Sequence, residues 1–97
     1  IHIDDVIRGS LIISKKIKNG QAVNLSSGKY LNFINLAKKI FKRLNKKNIE
    51  INGNSSKPEG VFARGGSRFF QRKLGFEPQI SIEKGIDIAI DYFKKHN

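Results

Sequence analysis

The stretch from Ser56 to Ile86 (SKPEGVFARGGSRFFQRKLGFEPQISIEKGI) constrains the fold most, because residues that start and end helices alternate within it. It predicts a short helix over residues 68–74, preceded by a serine that is suited to cap it. Gly75 ends this helix, since glycine readily adopts the left-handed conformation that follows many helices. Pro78 then keeps the backbone out of helix, and Ser81 is suited to cap a final helix.

The first half of this stretch places two cations on glycine-rich loops. Lys57 begins a Lys-Pro-Glu-Gly loop, and Arg64 directly precedes the Gly65-Gly66 turn. A phosphate group could be bound there by side-chain charge and by backbone N–H groups together. A solvated loop with two ordinary surface cations explains the same residues. Both interpretations are open on residue chemistry alone.

Helical periodicity predicts three longer amphipathic helices. The first runs from about Val6 to Lys16 after an aspartate cap, the second follows Asn32, and the third follows Ser81. The residues expected to face a core are Val6, Ser10, Ile13 and Ile17 in the first helix, Phe33, Leu36, Ala37, Ile40, Phe41 and Leu44 in the second, Phe69, Phe70 and Leu74 in the short helix, and Ile82, Ile86, Ala89, Ile90 and Phe93 in the last.

Short apolar segments between these helices predict strands. They are residues 1–3, 21–25, 49–51 and 61–64. Together with the helices, these segments give an expected fold class of α/β, rich in helix and with short strands. No linker or repeat divides residues 1–97, so we expect one region.

Composition excludes several classes of site. The 97 residues contain no Cys, which excludes disulfides and thiolate metal sites and fits a reducing compartment such as the cytoplasm. Two His are too few for a convincing metal cluster. No apolar run approaches the roughly 20 residues that span a membrane, so no membrane partner is expected. The chain has no Met, and we expect it to be part of a longer protein.

The net charge of +11 raises the alternative of a small basic module that binds nucleic acid. That function predicts aromatic side chains exposed among cations, as stacking platforms. Phe69 and Phe70 lie between Arg68 and Arg72, but their spacing with Leu74 favours a core. The cations are spread over all the predicted helices, so we interpret most of the charge as solvated surface and expect no nucleic-acid partner.

The motifs of the central stretch, taken in order, resemble those of the NAD(P)-dependent nucleotide-sugar epimerases, dehydratases and reductases, the extended short-chain dehydrogenase/reductase family. The similarity is greatest to the branch of the GDP-fucose synthases. The matching segments are His2-Ile3-Asp4-Asp5-Val6, Lys57-Pro58-Glu59-Gly60, Arg64, Ser67, Leu74-Gly75-Phe76 and Ser81-Ile82-Glu83-Lys84-Gly85.

The resemblance implies that residues 1–97 are the C-terminal, nucleotide-sugar-binding part of a Rossmann-type enzyme. Arg64 matches the basic residue that contacts the nucleotide diphosphate in the family, and Lys57 lies near a second such position. The implied partners are a nucleotide-diphosphate sugar, the Rossmann domain and further copies of the chain in a homo-oligomer. NAD(P) would be bound by the intact enzyme and not by this chain.

The catalytic residues of that family are not found in the chain. The family uses a Tyr-x-x-x-Lys pair on a domain with a glycine-rich dinucleotide loop. Tyr30 is followed four positions later by Ile34, and Tyr92 by His96, so neither forms the pair. We therefore assign no catalytic residue, no cofactor-binding residue and no metal ligand, and we expect the isolated chain to be inactive.

Overall fold

The computed structural model describes residues 1–97 and contains helices but no strands. The helices are α1 (Ile3–Ser14), α2 (Phe33–Arg43), α3 (Phe69–Lys73) and α4 (Ile82–His96). The expected α/β class with short strands is therefore wrong, and the chain is all helical.

Each predicted strand fails for lack of a partner. A strand is stabilised by hydrogen bonds to a neighbouring strand, and a lone extended segment has none. Residues 21–25, 49–51 and 61–64 are irregular. Residues 1–3 lead directly into α1 because the His2 ring caps that helix, its Nδ1 accepting a hydrogen bond of 3.2 Å from the Asp4 N–H.

The chain divides into two compact units. Unit 1 comprises Ile1–Lys29 and Gly65–Ile82, and unit 2 comprises Tyr30–Arg64 and Glu83–Asn97. Unit 1 therefore holds α1 and α3, and unit 2 holds α2 and nearly all of α4.

The core of unit 1 forms where α1 meets the segment after α3. Phe76 is fully buried, and Ile13 is also buried. The Phe76 ring packs directly against Gly9. A Cβ atom at residue 9 would lie only 2.9 Å from Phe76 Cζ and 3.0 Å from Leu25 Cδ2. Glycine is thus needed at this position of α1 for the ring to approach the helix backbone closely.

The end of α3 agrees with the sequence prediction. Gly75 has a φ of +84°, the left-handed conformation that favours glycine. The N–H of Gly75 donates to Arg72 O at 3.0 Å, and the N–H of Phe76 donates to Gln71 O at 2.8 Å. These two bonds form a Schellman motif, which satisfies the last carbonyls of the helix and directs Phe76 into the core.

The faces of α3 differ from those predicted. Phe69 is 65% exposed and Phe70 is 42% exposed, whereas Gln71 is fully buried. The expected inward positions of Phe69 and Phe70 are therefore wrong. The reason lies in tertiary structure, since the Gln71 amide finds two backbone partners in unit 1 that no apolar side chain could satisfy.

Unit 2 is built from α2 and α4. Asn32 caps α2 as predicted, its Oδ1 accepting a hydrogen bond of 2.8 Å from the Asn35 N–H. Ile86 is buried as expected, but three other predicted core residues of this unit are exposed, namely Phe33, Ala89 and Phe93. Ile82, the first residue of α4, belongs to unit 1 and is also exposed. A unit this small has too few residues to cover both faces of its helices, so part of their apolar surface stays exposed.

Two ion pairs join α2 to α4. Lys39 Nζ lies 2.5 Å from Glu83 Oε1, and the Arg43 guanidinium donates to both carboxylate oxygens of Asp87. These hydrogen bonds from Arg43 lower the pKa of the Asp87 carboxyl. The two cations are four positions apart on α2, and the two carboxylates are four positions apart on α4. One face of α2 therefore matches one face of α4.

Among the helices of the chain, none combines the length and the apolar character needed to cross a membrane.

Candidate functional site

The two predicted phosphate-binding residues lie on the irregular loop of unit 2. Lys57 and Arg64 are both exposed, and no strand separates them. The Lys57 N–H donates to Asn54 O at 3.2 Å, which closes a turn at the start of the Lys-Pro-Glu-Gly loop. The Arg64 side chain has no carboxylate within ion-pair distance. Lys57 and Arg64 do not contact each other, so they stand as separate exposed cations on one loop.

Ser67 lies at the start of α3, near the position predicted for its cap. Its Oγ accepts a hydrogen bond of 3.3 Å from the Phe69 N–H. Arg68 occupies the N-cap position itself, and its side chain makes no capping bond. The serine therefore satisfies one free N–H of the first turn, although the helix begins one residue later than predicted.

The surface of α3 combines aromatic rings with cations. Phe69 and Phe70 stand edge to face, with ring centroids 5.2 Å apart. A shallow depression beside them is lined by Arg68, Phe69, Arg72 and Lys73. Glu77 offsets part of this charge, because its carboxylate lies 2.6 Å from Arg72 Nε and 3.9 Å from an Arg68 nitrogen.

A buried carboxylate joins α1 to the loop before the last helix. Asp5 is 1% exposed, and its Oδ2 accepts hydrogen bonds from the N–H groups of Gln79 at 3.0 Å and Ile80 at 2.8 Å. Burial alone would raise the pKa of Asp5. The two N–H donors and the Arg8 guanidinium outweigh burial, and the pKa of this carboxyl falls below its ordinary value.

Arg8 adds further contacts at the same junction of unit 1. It donates to Asp5 Oδ1 at 3.0 Å and to Glu77 O at 2.5 Å. Its guanidinium carbon also lies 4.8 Å from the centroid of the Phe76 ring. His2 and Asp5 thus fix the two ends of this junction: His2 caps α1, and Asp5 binds the loop at residues 79–80.

Sequence reasoning missed two groups of residues. The first is the buried Gln71, which was missed because the apolar residues near it in the sequence were expected to face the core. The second is a set of lysines that line a depression in unit 2, and these were interpreted as solvated surface. Their spacing of four residues on α2, continued by Lys46-Lys47 after the helix, was the signal that could have found them.

Comparisons with known proteins give one informative similarity. No protein-family model matches the chain, and no solved structure matches it. A protein of rice, Oryza sativa subsp. japonica, that bears the name "Putative GDP-L-fucose synthase 2" is 24% identical to it over 95 residues. The aligned region is 98% of this chain and 27% of the rice protein, so the chain spans about a quarter of the length of this relative. The similarity supports, at a coarse level, a relation to a region of the sugar-nucleotide epimerases and reductases.

Proposed function

We propose that this chain is the nucleotide-sugar-binding, C-terminal region of an NAD(P)-dependent epimerase, dehydratase or reductase of the GDP-fucose synthase type. The observation that carries the proposal is the similarity to the rice protein, which extends over 98% of the chain. The ordered motifs around Lys57, Arg64 and Gly75 add to it. In the longer enzyme, NAD(P) would supply hydride transfer, and this region would bind and orient the nucleotide end of the substrate.

Arg64 is the residue best suited to contact a diphosphate. Its guanidinium is exposed and has no carboxylate partner, so a ligand need not displace an existing ion pair. The planar fork of an arginine matches two phosphate oxygens at once, and such charge-assisted bonds are the strong ones. Lys57 lies on the same loop and would add a second, more flexible charge.

The test is a calorimetric titration of the chain with GDP, comparing the parent with Arg64→Ala, Arg64→Lys and Lys57→Ala. We expect Arg64→Ala to weaken binding about tenfold to a hundredfold, since one charge-assisted bond contributes roughly 1.5–3 kcal/mol. Arg64→Lys should recover part of the loss, and Lys57→Ala should cost less. Lys94→Ala, which removes an exposed cation near the end of α4, is the matched control. Equal affinities of the parent and Arg64→Ala for GDP would show that Arg64 is only a surface cation.

A second candidate function, binding of single-stranded nucleic acid, is favoured by one observation. Phe69 and Phe70 are exposed beside Arg68, Arg72 and Lys73, the arrangement that a stacking platform requires. Two observations count against it. Glu77 pairs with Arg68 and Arg72, and the Arg68 side chain packs against Gly28 so closely that a Cβ atom there would collide with it.

Fluorescence anisotropy with a labelled oligothymidylate separates this candidate from the first. Phe69→Ala should weaken binding about fivefold or more if a base stacks there. Phe33→Ala is the matched control, because Phe33 is 87% exposed and lies in the other unit. Binding that both variants leave intact, or that both weaken equally, would exclude a stacking site on α3.

A further inference from the structure

The cations of α2 fall into two rows. Lys39 and Arg43 form one row, and both pair with carboxylates of α4. Lys38 and Lys42 form the other row, and each directly precedes a residue of the first row. Neither has a carboxylate within ion-pair distance. The acidic residues of α4 therefore neutralise half of this cationic surface and leave the other half available to an external anion.

The chain reversal after α2 adds two more lysines to the second row. Asn45 and Asn48 both adopt left-handed conformations, with φ of 54° and 58°. The Lys46 N–H donates to Phe41 O at 2.9 Å, so the first turn of this reversal is fixed to the helix. Lys46 and Lys47 are thereby held next to the last turn of α2.

These residues border an open depression with a volume of about 380 Å³. Four lysines line it, namely Lys38, Lys42, Lys46 and Lys47, and no carboxylate is among the lining residues. Phe41, Ile49 and Ile51 supply its apolar surface. Its size lies in the range of about 300–1,000 Å³ that is usual for small-molecule sites.

The chemistry of the lining selects a class of ligand. Ammonium groups are compact charges that bind phosphate oxygens from several directions, whereas arginine favours planar, two-point contacts. Several ammonium groups around one depression suit an anion with several charges on neighbouring groups. The half-buried Phe41 side chain offers an apolar surface to a ring attached to that anion.

We propose that this depression is a binding site for an oligophosphate group, carried by a nucleoside diphosphate or present as inorganic pyrophosphate. The site is separate from the Lys57 and Arg64 loop, because neither of those residues lines it. The inference is therefore independent of the proposed function, and different variants test it.

The experiment titrates the 97-residue chain carrying Arg64→Ala with pyrophosphate and with ADP at low ionic strength, followed by nuclear magnetic resonance and calorimetry. The Arg64→Ala background removes the loop residue that is best suited to contact a diphosphate. Adding Lys42→Gln and Lys46→Gln together should weaken the binding of both ligands about tenfold. Amide shifts on binding should be confined to residues of the depression. Tighter binding of ADP than of pyrophosphate identifies a nucleotide as the ligand, and equal binding identifies the oligophosphate alone.

The matched control is Lys94→Gln with Lys95→Gln, which removes the same charge from exposed positions near the end of α4. Far-ultraviolet circular dichroism of every variant verifies that helix content is unchanged. The proposal is overturned if the control weakens binding as much as the Lys42 and Lys46 pair, because net charge alone would then explain it. It is also overturned if neither ligand binds, or if only a single-stranded oligonucleotide does.

Discussion

The side chain of Gln71 makes the two hydrogen bonds to Ser26 that a neighbouring strand would otherwise make. Gln71 Oε1 accepts from the Ser26 N–H at 2.8 Å, and Gln71 Nε2 donates to Ser26 O at 2.8 Å. A helical residue thus fixes an irregular segment 45 residues earlier in the chain. This pairing explains how unit 1 holds its connecting segment in place without a sheet.

Removing the amide should destabilise unit 1. Gln71→Ala leaves the partly buried Ser26 N–H and C=O without their partner and opens a cavity at a fully buried position. We expect a loss of about 2–3 kcal/mol in the free energy of unfolding, measured by urea denaturation. Gln79→Ala is the control, since Gln79 is exposed and uses only its backbone N–H. A loss below about 0.5 kcal/mol for Gln71→Ala would contradict the pairing.

A methyl group at Gly9 should also destabilise unit 1, although alanine is the better helix former. The added Cβ would approach the Phe76 ring to 2.9 Å, and that ring is fully buried and cannot easily move. Overpacking costs about 1–3 kcal/mol, and the helix propensity of alanine returns at most about 1 kcal/mol. We expect a net loss of about 1 kcal/mol by thermal or urea denaturation. Ser10→Ala, at the exposed neighbouring position, should change little, and a stabilised Gly9→Ala variant would disprove this packing.

The sequence predicted the start of α2 and the end of α3 well because those signals are local, whereas the aspartate cap predicted for the first helix was wrong, since His2 caps α1. Asn32 caps α2 with its own side chain, and Gly75 ends α3 through its own backbone conformation. Each depends on residues within one helical turn, which the sequence displays directly. The predicted strands failed because a strand depends on a distant partner that periodicity does not reveal.

Burial and the state of the charges also depend on distant residues. Phe69, which was expected to face the core, is exposed, and Gln71 is buried because Ser26 lies beside α3. Lys39 and Lys42 are alike in sequence, yet one meets Glu83 and the other lines a depression. For the candidate site, sequence reasoning could identify Lys57 and Arg64 as exposed loop cations, but it could not identify which lysines lack a carboxylate.

Self-association is expected through a second face of α1. Ile3, Ile7 and Leu11 recur every four residues and are 62%, 53% and 60% exposed. A contiguous apolar stripe of this kind favours contact with another chain. Ile7→Lys places a charge in the middle of the stripe, and we expect it to shift the chain toward monomer in sedimentation equilibrium. Asn35→Lys adds the same charge at an exposed polar position of α2 and should not. A parent chain that is already monomeric at high concentration would disprove the expectation.

The buried Asp5 should make the stability of unit 1 depend on pH in the acid range. Its folded-state pKa lies below the ordinary value of 3.8, so the carboxylate stabilises the fold fully above that pH. This contribution is lost as the pH falls below 3.8 and through the folded-state pKa, because the unfolded state then binds the proton first. Asp5→Asn should lose about 2 kcal/mol at neutral pH, since the amide has one acceptor oxygen for several donors.

Urea denaturation from pH 7 to about pH 2 measures the difference between the parent and Asp5→Asn. We expect that difference to be constant near neutral pH and to shrink as the pH falls below 3.8. Asp91→Asn, at an exposed position of α4, is the control and should follow the parent. A difference that stays the same down to the lowest pH would show that the N–H groups of Gln79 and Ile80 do not depend on the Asp5 charge.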